Sequence, residues 1–214
     1  MPTKTKVNPI EKALQAVKPF TIREKKFMTR PVLAAALVTP DHVIATDSFR
    51  AVRIRHGEEV KEAYLHFYKK DSRLAGAYEA TNYPNVCNDH IFRDPADAQA
   101  IFEIDVREWL EAHKVGEVAA KELPNKNITL SGDTLKVDPA DCEPFYQVSY
   151  SYQLGEKTPI DSLTYNCKYM LDALRLFKKY KHDKIVFHFF GDLLPIILTA
   201  GNIEIVIMPI RTKE

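Results

Sequence analysis

The sequence predicts an α+β fold in which one local pattern recurs: a short strand, an Asn or Asp able to cap, an amphipathic helix, then about three antiparallel strands. Two observations predict it. Three segments open helices with the same grammar of capping residue and apolar spacing, and the runs between them alternate with the period of strands. Hydrophobic residues make up 45% and charged residues 28% of 214, the balance of an ordinary soluble chain with enough length for a real core. The formal charge of +1 names no partner, so any nucleic-acid role has to come from local placement.

In KVNPIEKALQAVK, Asn8 is the expected N-cap, Pro9 takes the first helical position, Glu11 closes a capping box, and Ile10, Ala13, Leu14 and Val17 form the apolar face. In FEIDVREWLEAHK the cap is Asp105, Glu108 sits third in the helix, and Val106, Trp109 and Leu110 are the buried stripe. In LTYNCKYMLDALRLFKKY the cap is Asn166, with Met170, Leu171, Leu174 and Phe177 at helical spacing. Strands are expected at VLAAALV, VIAT, AVRIR, ITLSGDTLKV, YQVSYSYQL, KIVFHFF, PIILTA and IEIVIMPI. Hairpin turns are expected at Ser131–Asp133 and Ala200–Asn202.

Asp105 and Asn166 lie 61 positions apart, and the same step from Asn8 lands on Lys69. There a strand, Tyr64–Tyr68, precedes a polar start, but the helix that could follow reaches Gly76 almost at once, so this is a degenerate unit. NYPNVCNDHIFRDPADA, rich in Pro, Asn and Asp, is the best linker candidate. The expected organisation is a domain over 1–83 with a shortened second half, a linker over 84–97 and a complete domain over 98–214.

Cys87, Cys142 and Cys167 are odd in number and lack metal-ligand spacing, which argues for reduced thiols in a cytoplasmic protein. MPTKTKVNPI has basic residues with no apolar run behind them, so no signal peptide is expected, and no stretch approaches the roughly 18 apolar residues of a membrane span. There is no Gly-rich phosphate loop, no nucleophile elbow, and the seven His are scattered. His188 reads as a core or sheet-surface residue, and Asp47, Asp133 and Asp192 as turn residues. An enzyme is not expected, nor any cofactor or metal.

Val43–Ile54, VIATDSFRAVRI, alternates like a strand yet interrupts itself at Thr46–Arg50; by itself this is a tight turn, Asp and Ser being common turn formers. ATDSFRAV also resembles an A-T-D-G-H-R-L signature, NYPNV an F-P-D-Y linker, YNCKYMLDAL the pattern F-N-x-x-Y-L-L-D-A-L, and IVIMPIR a closing V-M-P-M-R. In that order, from about Asn8 to Arg211, they make the chain similar to the sliding clamp of bacterial replication, the β subunit of DNA polymerase III. It resembles the middle and last of that family's three domains, without the first. The signature's Gly and His are Ser48 and Phe49 here, and Asn88 and Asp89 replace basic residues of the linker.

The resemblance implies the sliding-clamp (DNA clamp) fold and an apolar pocket for short peptides of polymerases and clamp loaders. Carried over by position, its residues are Thr46, Ser48, Phe49, Arg50, Ala51, Pro84, Val206, Met208, Pro209, Ile210 and Arg211. Such a lining takes leucine or aromatic anchors by apolar burial, Met repacks around different anchors, and a rim Arg bonds carbonyls or a terminal carboxylate. Phe49, standing for His, would fill part of the cavity. Read alone, Met208-Pro209-Ile210 is an edge strand in which Pro is tolerated.

The family encircles duplex DNA with helices that offer positive charge without base readout. The corresponding residues are Lys12 and Lys18 on the first helix and Arg107 and Lys114 on the second. On the third, the face opposite the apolar stripe carries Lys168, Asp172, Arg175 and Lys179, with Lys178, Lys181 and Lys184 extending it. Taken alone, such faces are simply solvated. A ring of six domains, two per chain, implies a homotrimer. The alternative is a clamp-like regulator that captures clamp-binding peptides without encircling DNA.

Overall fold

The computed structural model describes residues 8–22, 30–68, 77–86, 91–121, 126–137 and 149–211. In chain order its elements are α1 (Pro9–Val17), β1 (Ala35–Val38), β2 (His42–Thr46), β3 (Arg50–Arg55), β4 (Tyr64–Phe67), β5 (Ala100–Asp105) and α2 (Val106–Ala119). They continue with β6 (Asn127–Ser131), β7 (Thr134–Val137), β8 (Tyr150–Gln153), β9 (Leu163–Asn166), α3 (Cys167–Lys179), β10 (Lys184–Phe189), β11 (Ile196–Ala200) and β12 (Ile203–Ile207). Two compact units result: Met1–Asn88 with Gly201–Ile205, and Asp89–Ala200 with Val206–Glu214. No helix among the described residues is long and apolar enough to cross a membrane.

The first unit rests on an antiparallel sheet in the order β4-β1-β2-β3. Helix α1 starts where its sequence requires, Asn8 Oδ1 accepting from the Ile10 N–H at 2.8 Å with Pro9 in the first turn. It buries Ala13, Leu14, Ala16 and Val17 and packs on β2 and β3. Beside β3 lie the opening residues of β12: the Arg55 N–H donates to Asn202 O at 2.9 Å, and Arg53 pairs with Glu204 at 2.6 Å.

One expectation changes here. VLAAALV is not strand throughout, because Pro31–Ala34 form a 3₁₀ turn. Pro31 presets φ and has no N–H for a ladder, so pairing begins only at Ala35. Of the degenerate unit, β4 is present and the Tyr68 hydroxyl donates to Leu14 O at 2.7 Å, tying the end of the strand to α1. The short helix expected after Lys69 lies outside the described residues, as do Cys87 and Cys142.

The second unit follows the predicted pattern twice. Asp105 Oδ1 accepts from the Glu108 N–H at 2.8 Å to open α2, and Asn166 Oδ1 accepts from the Tyr169 N–H at 3.2 Å to open α3. Strands order as β8-β7-β6-β9 in one sheet, while β10 pairs with both β11 and β5 in another, all antiparallel. Gly132, at φ +59°, turns the β6–β7 hairpin as expected. Helices α2 and α3 pack together, and Gly116 lets α2 approach β6: a Cβ there would stand 2.9 Å from Ile128 Cδ1.

The two buried histidines of this core are hydrogen-bonded. His113 is fully buried, its Nδ1 2.7 Å from Trp109 O and its Nε2 2.9 Å from the Tyr165 hydroxyl. A carbonyl can only accept, so Nδ1 carries the proton and Tyr165 donates to Nε2. Burial pushes the His113 pKa down to about 4 and the Cys167 thiol up to about 12. His188 is likewise buried and lies 3.0 Å from Thr199 Oγ1, in the core rather than on the sheet surface, the two placements its position allowed.

Candidate functional site

Residues 46–50, the interruption in the strand, close on themselves. Strand β2 ends at Thr46 and β3 starts at Arg50, and the Asp47 N–H donates to Arg50 O at 3.3 Å. Thr46 Oγ1 donates to Arg50 O at 2.7 Å and accepts from the Ser48 N–H at 3.1 Å. Asp47 Oδ1 accepts from the Phe49 and Arg50 N–H groups, both at 3.1 Å, while Oδ2 takes Arg50 Nε at 3.0 Å. Ser48 sits at φ +78°, a conformation glycine adopts without penalty, and Arg30 Nη1 donates to its Oγ at 3.0 Å.

The turn's two ends differ in exposure. Arg50 is 5% exposed; its guanidinium lies 4.7 Å from the Phe20 ring centre and donates to Pro19 O at 2.7 Å. Phe49, at the tip, is 56% exposed. Behind the turn, the Thr46 N–H donates to the buried Tyr83 hydroxyl at 3.1 Å, and Pro84 next to it is exposed.

In the second unit the segment after β12 lies along β9. Tyr165 and Pro209 pair as an isolated antiparallel bridge, and the Ile210 N–H donates to Thr164 O at 2.8 Å. Val206 is buried, Pro209 and Ile210 are half-buried, and Met208 and Arg211 are exposed. Strand β9 ends its sheet in the strand order, so this is the edge setting where proline is tolerated.

The structure therefore sorts the eleven expected peptide-binding residues. Ser48, Phe49, Pro84, Met208 and Arg211 are exposed, and Pro209 and Ile210 partly so. Thr46, Ala51 and Val206 are buried and support a surface rather than form one. Arg50 is not an exposed cation, being engaged by Asp47, Pro19 and Phe20, whereas Arg211 is exposed. Phe49, expected to fill part of a cavity, is 56% exposed on its own unit. Asp47 is the turn residue its setting suggested, and the sequence carried no signal that Arg30 and Tyr83 would meet this turn.

The charged helix faces also resolve. Asp172 does not point outward with its neighbours: it is buried and takes Lys168 Nζ at 3.0 Å on both oxygens and Arg175 Nη1 at 3.4 Å. Arg175 also meets Glu117 on α2 at 3.9 Å, and Arg107 pairs with Glu111 at 3.4 Å. Lys178 and Lys179, in the last turn of α3, are exposed and have no acidic partner among the described residues. Lys114 is exposed, Lys12 lies on the exposed side of α1, and Lys18 Nζ lies 5.5 Å over the Tyr68 ring.

No family model matches the sequence, and no curated protein does. Solved structures do match. The β subunit from DNA polymerase of Streptococcus pyogenes superposes with a TM-score of 0.74 at 14% identity, over 96% of this chain and 64% of that one. The β subunit of DNA polymerase III from Thermotoga maritima gives 0.70 at 13% identity, over 100% and 68%. The Helicobacter pylori β clamp, solved bound to a DNA ligase peptide, gives 0.61 at 16%, over 95% and 63%. This chain thus spans about two thirds of the length of the subunits it resembles, and at these identities the likeness is one of fold.

Proposed function

On the premise that the chain has the sliding-clamp fold, we propose that it is a processivity or recruitment platform, riding duplex DNA without reading sequence and docking polymerase and clamp-loader type proteins through short peptides. One observation carries the reading. Both segments that the resemblance assigns to peptide binding hold exposed apolar side chains on fixed backbone: Phe49 on a closed turn in one unit, Met208 on a paired segment in the other. The H. pylori β clamp, a neighbour in fold, was solved bound to a DNA ligase peptide, which supports the reading. Apolar burial, against Phe49 in the one unit or Met208 in the other, would supply affinity, and Arg211 would supply a charged handle in the second.

Calorimetric titration tests this with a short peptide carrying Gln, then Leu and an aromatic anchor. Binding is expected near micromolar, about 8 kcal/mol at the standard state. Met208→Glu sets a charge on an apolar surface and should remove binding with little change in melting temperature, since Met208 is exposed. Absence of binding at concentrations on the order of hundreds of micromolar, or equal binding by both proteins, would sink the reading.

A second reading is favoured by the ion pairs on α3. Lys168 and Arg175 are engaged by Asp172 and Glu117, which lowers the positive charge that face offers to phosphates. In that reading the chain captures clamp-binding peptides as a regulator without encircling DNA. Peptide binding with no salt-sensitive retention on closed circular duplex would select it.

A further inference from the structure

Resting on the peptide-docking reading, we infer that Asp47 is the positioning residue of that surface and acts through Phe49, the side chain it fixes against the peptide's apolar anchor. Asp47 is 14% exposed and cannot itself cover a ligand. Its carboxylate instead gathers three donors: the N–H groups of Phe49 and Arg50 on one oxygen and Arg50 Nε on the other. These bonds lock the two residues that follow Ser48, whose positive φ would otherwise be given up for an ordinary conformation. Arg50 is anchored in turn by Pro19 and Phe20, so the turn is tied to the body of its unit. The backbone that carries Phe49, 56% exposed, is thereby set before any ligand arrives, and a preorganised contact spends less of its binding energy on ordering.

The test is a double-mutant cycle with the same peptide, following both affinity and melting temperature. Asp47→Asn keeps an oxygen for the two backbone donors and should bind within about threefold of wild type. Asp47→Ala should weaken binding at least about tenfold, Phe49→Ala similarly, and the double variant no more than either alone, because both remove the same contact. A purely structural role for Asp47 would lower the melting temperature and give losses that add. Should Asp47→Ala fail to fold through its unpaired buried Arg50, Asp47→Ala combined with Arg50→Met removes both charges and replaces it in the cycle. Unchanged binding by the Ala variant, or additive losses, overturns the inference while the function stands; a wild type that binds no peptide overturns both.

Discussion

Ser48 occupies the left-handed region at φ +78°, where a side chain costs about 1 kcal/mol. The resembled signature has Gly at this position, so the turn keeps a glycine conformation without the glycine. Ser48→Gly should therefore raise the melting temperature by about 2 °C, the relief being partly offset by loss of the Arg30 bond. A lower melting temperature would show that Arg30 contributes more than the strain costs. His113 supplies a second single-residue effect. The unfolded chain takes up a proton on it near pH 6.5, whereas the folded chain does so only near 4 because burial penalises the charge. Between those values the unfolded state binds more protons. Stability is complete above pH 6.5 and falls as pH drops toward 4, by about 3 kcal/mol in all. Denaturant titrations of wild type and His113→Gln across that window should differ in slope, and parallel curves would reject the assignment.

At the scale of the element, α3 is the test case. It buries eight of its thirteen residues, including Asp172, and exposes Arg175, Lys178 and Lys179. A cation already paired with a buried carboxylate releases few counterions on meeting a phosphate, whereas an unpaired one releases nearly one. Replacing Lys178 and Lys179 with Gln should cut the slope of log affinity against log salt by about 2 for duplex DNA, and Lys168→Gln by much less. Equal effects would mean that Asp172 does not mask Lys168. The two lysines also lie where a helix dipole favours positive charge, so stability should fall slightly in the double variant while the fold persists.

For the whole molecule the question is copy number. A chain with two clamp-like units closes a six-domain ring only as three copies, so light scattering should give three times the 24.5 kDa chain mass at micromolar concentration. A strict monomer would remove the ring and leave the peptide-binding reading in place. The first unit carries a single α-helix, α1, among its described residues, against two in the second, so the units would enter any ring as unequal partners.

What could be read without coordinates was whatever local chemistry decides. All three helix starts follow from Asn8, Asp105 and Asn166, because a side-chain oxygen three atoms from its backbone reaches the first orphan N–H groups whatever surrounds it. The Gly132 hairpin and the alternating strands follow likewise from backbone sterics and a period of two. Side-chain partners across long sequence distance were not legible. Nothing local says that Arg50 spends itself on Pro19, 31 residues away, or that Tyr83 backs Thr46, 37 residues away. Asp172 illustrates the reason: helical spacing put it on the charged face, but how far a face is buried depends on what packs beside it. Sequence alone determined the elements and the kind of fold. Only the tertiary structure decided which polar residues remain exposed for a partner, since exposure is set by neighbours that arrive from elsewhere in the chain.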